Sequence, residues 1–251
     1  PFPYTTLFRS SEILADEMLE ADMIRKAGYG NEISLRGFGK NNLRTSLDGS
    51  LVEGACGGRK DPSLSHINLL EVERLVVRQG PFDVTKAGAF GGSVEVVTRK
   101  PEPGLHGELT AKAGSYGYLG GGGYFTGGNE WIQALFGYSY SESDQYKDGD
   151  GRRLGSFTAQ PYLPAYEDWK AYRKQDVWGK LRLTPTPEDE FLFEHSYGSG
   201  EDILYPRGPF DIPHERTWLS RASYTRTDLG EWSEKLSISA YHNKVGHYPS
   251  Q

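Results

Sequence analysis

Residues 131–141 read WIQALFGYSYS, and residues 177–184 read VWGKLRLT. In the first, Ile132, Ala134, Phe136, Tyr138 and Tyr140 fall on every second position; in the second, Val177, Gly179, Leu181 and Leu183 alternate with Trp178, Lys180 and Arg182. A period of two sends neighbouring side chains to opposite faces of an extended strand. The same grammar recurs in GELTAKAG (107–114), GGGYFTG (121–127), EFLFEHSYG (190–198), RTWLSRASYTRT (216–227) and EKLSISAYHNK (234–244). Each segment runs roughly eight to twelve residues, near the ~9–11 of a tilted strand that crosses a bilayer. The links TGGNE, PTPEDE and DLGE are tight turns, whereas 141–175 and 201–215 read as long loops. A transmembrane barrel alternates short turns at one rim with long loops at the other. A soluble sandwich has no reason to gather its long loops at one end. The segments from 105 to 244 are therefore expected to form about seven strands of an antiparallel barrel wall. Ile132, Ala134, Phe136, Tyr138, Val177, Leu181 and Leu183 should face lipid, and Lys180 and Arg182 the lumen, because a cation on the lipid face near the midplane costs roughly 2–4 kcal/mol.

Composition agrees. The chain of 251 residues holds 32 Gly, 16 Tyr, 11 Phe and 5 Trp against two Met and one Cys, a profile of strands and turns rather than helices. No stretch approaches the ~18 apolar residues of a spanning helix, which leaves a barrel open because its strands alternate. One Cys excludes an internal disulfide framework, and a net charge of −6 argues against nucleic acid as a partner.

The first hundred residues are of another kind. SEILADEMLEADMIRKAG (11–28) carries Ile13, Leu14, Met18, Leu19, Met23 and Ile24 on a helical stripe, which predicts a short helix ending after Lys26. Short strands punctuated by Gly and Pro follow, so the unit reads as α+β.

Four pieces of this unit, in order, are ISLRGFG (33–39), LDG (47–49), EVERLVVRQGP (71–81) and AFGGSVEVVTRKP (89–101). Together they resemble the plug of TonB-dependent outer-membrane receptors, the last piece resembling the exit into the first barrel strand. The resemblance implies an α+β plug domain over 11–101, then over 102–251 the first seven or so strands of a 22-stranded transmembrane barrel. It implies a Gram-negative outer-membrane location, a TonB-contacting segment outside this chain, outer-membrane lipid as surroundings, and gating by plug rearrangement with no cofactor. It also implies import of a scarce nutrient, foremost a ferric siderophore, with copper or cobalamin as alternatives within the class. A secreted, β-rich carbohydrate-binding module is the alternative of another class, and it would lack a charged plug-like segment at its start. No nucleophile elbow, H-E-x-x-H or P-loop occurs, so no enzyme is expected.

The candidate residues follow from those expectations. Arg36, Glu71, Glu73, Arg74 and Arg78 are the charges a lumen would bury, and the resemblance assigns them to ion pairs between plug and wall. The loop VEGACGGRKDPSLSH (52–66) stands where family plugs raise an apical loop, and it holds the only cysteine. Cys56 with His66 offers a soft metal pair. Copper-importing members have a Met four residues after such a Cys, a place held here by Lys60. An anionic chelate would be drawn by Lys40, Arg44, Arg59 and Lys60, with Tyr162, Tyr166, Trp169 and Tyr172 supplying stacking. Finally, residues 2–10, FPYTTLFRS, resemble the conceptual translation of a short-read sequencing adapter, so 1–10 are expected to contribute nothing to fold or function.

Overall fold

The computed structural model describes residues 14, 17–26, 28, 30–56, 61–82, 87–153, 164–205, 212–231 and 233–248. The adapter-like leader lies outside them. The first unit contains a two-stranded ribbon, β1 (Ala21–Arg25) against β2 (Asn31–Leu35), and a four-stranded sheet of order β4-β3-β6-β5, from β3 (Leu43–Leu47), β4 (Ser50–Leu51), β5 (Val72–Gln79) and β6 (Gly92–Thr98). β3 runs parallel to β6, and the other neighbours are antiparallel. Asp48 and Gly49 join β3 to β4 with both residues at positive φ (46° and 83°), the two-residue hairpin geometry that Asp-Gly favours. Leu35, Val52, Val94 and Val96 form the driest part of the core, joined by Leu14, Ile33, Leu64 and Ile67.

The helix expected over 11–28 is partly replaced. Leu14 and Glu17 are helical and the Met18 amide donates to the Leu14 carbonyl at 3.1 Å, but residues 21–25 pair with β2 in the register Ala21↔Leu35 and Met23↔Ile33. The apolar spacing here also satisfies a period of two at Ala21 and Met23. Strand pairing buries Ala21, whereas Ile24, which the helical stripe placed inward, is exposed.

The second unit is one seven-stranded antiparallel meander in sequential order: β7 (Gly104–Gly114), β8 (Tyr118–Gly128), β9 (Ile132–Ser143), β10 (Tyr172–Leu183), β11 (Asp189–Ile203), β12 (Ile212–Thr227) and β13 (Lys235–Tyr248). The link 144–171 is long as expected. The other expected long loop shrinks to 204–211, because ladder pairing carries β11 on to Ile203 and starts β12 at Ile212. No helix among the described residues is long and apolar enough to cross a membrane, a test that does not bear on strands.

Register settles the two faces. Ile132 pairs with Leu183, Ala134 with Leu181 and Tyr138 with Val177, while Leu135 pairs with Lys180 and Gln133 with Arg182. Directly opposed residues share a face, so the first set and Phe136 point outward, and Leu135, Trp178 and Lys180 are buried on the inner face. Outside, Phe125 and Phe136 place their rings 5.7 Å apart. Phe136→Arg should destabilise the wall by roughly 2–4 kcal/mol relative to Phe136→Leu, as for any cation on a lipid face. Denaturant unfolding of the full-length protein in lipid vesicles reads the difference, and equal stability of the two variants would assign that face to water.

Candidate functional site

The first unit sits against the inner face of the wall, and the seam between them is polar. Lys180 lies on β10 in phase with Trp178 and Asp176, which turns its buried ammonium inward. Its Nζ donates to Thr98 Oγ1 at the end of β6, lies 3.0 Å from Glu194 Oε1 on β11, 3.9 Å from Glu71 Oε1 and 4.0 Å from Asp48 Oδ2. Arg221 on β12 holds the other oxygen of Glu194 at 2.6 Å. Asp48 is fixed by the hairpin turn, its carboxylate accepting from the Thr98 amide at 3.1 Å and from the Thr98 hydroxyl. Thus two wall cations meet one wall carboxylate and two from the first unit. Burial pushes the Glu71 carboxyl up, against the pull of Lys180 and with help from Asp48 and Glu194, to about 7. Burial likewise raises Asp48, with Lys180 and the Thr98 hydrogen bonds opposing.

A second cluster closes the seam. The 3-10 turn Ser63–His66 follows Pro62 and buries His66. Asp61 is aimed by the backbone, accepting from the amides of Ala55 and of Cys56, the latter at 3.1 Å. His66 Nε2 lies 3.3 Å from Asp61 Oδ2, and its Nδ1 lies 3.3 Å from Glu215 Oε1 and 3.2 Å from Thr217 Oγ1. His247 on β13 faces Glu215 across the ladder, and its Nε2 sits 2.6 Å from Glu215 Oε2 and 3.3 Å from Asp61 Oδ2. Burial alone would lower the His66 imidazole, but the Glu215 charge and the hydrogen bonds with Asp61 and Glu215 outweigh it and raise the ring to about 9.

Further hydrogen bonds join the clusters. Asn68 caps the turn Leu69–Glu71 through Leu70 N and donates to Asp176 Oδ2 at 2.8 Å and to Ser139. Lys174 donates to the Ser65 carbonyl at 2.5 Å, and Asn243 to the Leu51 carbonyl at 2.8 Å. Leu219 of β12 enters the core of the first unit.

The expected site residues divide accordingly. Glu71 reaches the wall through Lys180. Glu73 and Arg74 pair with each other at 2.7 Å and are exposed, and Arg36 and Arg78 are also exposed. These departures follow from topology, since β5 is the edge strand of its sheet and Arg36 sits on the turn after β2. His66 has Asp61, Glu215 and Thr217 on its two ring nitrogens instead of the expected Cys56. The Cys56 thiol is free and partly exposed. Arg44 is partly buried and donates to the Ala87 carbonyl at 3.3 Å, with its Nε buried without a hydrogen-bond partner. Tyr166 and Trp169 sit ring to ring at 4.2 Å, available as an aromatic pair on the long link. Tyr172 is instead buried with Ile203, Tyr205 and Ile212, so it packs rather than contacts ligand. Arg59, Lys60 and Tyr162 lie outside the described residues, as does the side chain of Lys40.

Asp48, Asp61, Glu194, Glu215, Arg221 and His247 are absent from the sequence-based candidates. An inward phase on an alternating strand marks Lys180, Glu194 and Glu215; nothing in the sequence marks His247, whose partners lie far along the chain, or tells that Asp61 would face it.

Residues 11–93 match a family model described as TonB-dependent Receptor Plug Domain. No match was found among curated protein sequences. Among solved structures, the chain is similar to "Copper transporter OprC" with a TM-score of 0.80 and 23% identity, over 94% of this chain and 35% of that one. It is similar to the FrpB iron transporter from Neisseria meningitidis at 0.74 and 19%, over 96% and 39%. It is also similar to the siderophore receptor PirA from Acinetobacter baumannii at 0.64 and 16%, over 95% and 41%. The chain thus spans about two fifths or less of the length of each of these structures.

Proposed function

We propose, from the plug-domain match over residues 11–93 and the barrel-type wall that follows it, that this chain is part of a TonB-dependent receptor of the Gram-negative outer membrane and that the whole receptor imports a scarce, bulky nutrient, foremost a ferric siderophore, by displacing the plug from its barrel. One observation carries the gating part: the plug meets the wall through ion pairs and hydrogen bonds around Lys180, Asn68 and His66. A polar seam can exchange its bonds with water as it opens, whereas an apolar core of equal area cannot. No chemical step and no cofactor is invoked; TonB supplies the energy for plug movement, and the barrel is the route. FrpB and PirA, an iron transporter and a siderophore receptor by their titles, support iron. A copper reading is favoured by the similarity to OprC and by Cys56 on the apical loop. Cobalamin has no specific support, and a carbohydrate-binding module does not account for the plug on its wall.

The test is uptake of labelled ferric siderophore, cobalamin and copper by cells expressing the complete receptor, with and without TonB. TonB-dependent ferric uptake is the expected result. Copper uptake abolished by Cys56→Ser, with ferric uptake absent, would overturn the iron reading.

A further inference from the structure

We propose that Asp61, His66 and His247, with Glu215 beside them, form a site for one divalent transition-metal ion of the zinc class that bridges plug and barrel wall. Two segments remote in sequence, the loop that holds Asp61 and His66 and the strand that holds His247, bring donor atoms of these three residues within 4.8 Å of one another. Asp61 Oδ2 lies 3.3 Å from Nε2 of His66 and 3.3 Å from Nε2 of His247. Donors held ~2.0–2.2 Å from a tetrahedral ion are separated by roughly 3.3–3.6 Å, so these two edges already have the span an ion requires.

The surroundings match what such an ion needs. Asp61 is oriented by the amides of Ala55 and Cys56, so its carboxylate does not have to be organised on binding. His66 presents Nε2 to the centre while its Nδ1 is engaged by Glu215 Oε1 and Thr217 Oγ1, the outer-shell arrangement that fixes the ring of a ligating histidine. Glu215 Oε2 lies 2.6 Å from His247 Nε2, a hydrogen bond that an incoming ion would replace at that nitrogen. A divalent cation bound here takes the place of the proton on His66 and compensates the carboxylates of Asp61 and Glu215. Two imidazoles and two carboxylates favour a borderline ion such as Zn²⁺ over soft Cu⁺, which distinguishes this site from one built on Cys56. Because the donors come from both units, the bound ion acts as a tie: withdrawal of the plug removes two of its ligands.

The probe is Zn²⁺ itself, in equilibrium dialysis with the full-length receptor purified through a tag free of histidine and stripped with chelator. One equivalent should bind, raise the unfolding temperature and be retained in Cys56→Ser. His66→Gln and His247→Gln should each weaken binding at least tenfold. Heat-modifiable gel migration confirms that each variant barrel is folded; if His66→Gln fails that check, His247→Gln alone decides. Stoichiometry below a tenth of an equivalent, or binding unchanged in His247→Gln, or binding lost in Cys56→Ser, overturns the site. Dialysis reads binding irrespective of what is imported, so its failure and that of the iron reading are told apart.

Discussion

Lys180→Met is expected to loosen the plug by roughly 3–5 kcal/mol, the range for removing one partner of a buried charge network. Methionine keeps the length and apolar stem and deletes the charge, so packing changes little. What remains is Asp48, Glu71 and Glu194 facing one another with Arg221 alone, and Arg221 reaches only Glu194. The loss depends on pH, with a sign fixed by Glu71. Its folded-state carboxyl is raised from 4.5 to about 7. Below 4.5 it is protonated whether folded or unfolded and contributes no difference. As pH rises from there the unfolded chain releases the proton and the folded one keeps it, so stability falls until about 7 and then levels. Lys180 is the charge that lowers Glu71; without it the carboxyl rises further and the fall continues to higher pH. The variant should therefore lie closest to the parent near pH 5 and furthest from it near pH 8. Protease accessibility of the plug in the full-length receptor, measured across that range, follows the effect, and adding Glu71→Gln should restore part of it. A pH-independent loss would mean that the methionine is misfitted and the charge immaterial.

Trp178→Ala should cost a comparable 3–5 kcal/mol, through a cavity instead of a charge. The indole is 2% exposed on the inner face of β10, flanked by Gly137 on β9 and Ser196 on β11. A Cβ placed on Gly137 would lie 2.2 Å from the ring, so that glycine is the socket that admits the tryptophan. Gly137→Val should then destabilise by itself, since it expels the ring, and should add little to Trp178→Ala, which has already emptied the place. Guanidinium unfolding of the single and double variants measures both. Simple additivity would show that Gly137 and Trp178 do not share a space.

Alternation in WIQALFGYSYS and VWGKLRLT was enough to establish the strands, their two faces and the inward phase of Lys180, because side-chain direction in a strand is set by position parity alone. The plug was legible for a different reason, the resemblance of four ordered segments to a known family, one of which, LDG at 47–49, forms the turn between β3 and β4. The leading apolar stripe was legible only in part, since Ala21 and Met23 satisfy both periods and the choice fell to the partner strand that buries Leu35. The site belongs to the other kind of information. Glu71 opposite Lys180, and Asp61 and His66 opposite Glu215 and His247, are pairs separated by more than a hundred residues, and a charge in sequence carries no sign of which charge will face it. Edge position exposed Glu73 and Arg74, and strand pairing buried Tyr172, although their residue types read alike in sequence as candidates for contact. Those assignments were decided by the docking of one unit against the inner face of another, where burial makes each unpaired polar group costly and so selects its partner.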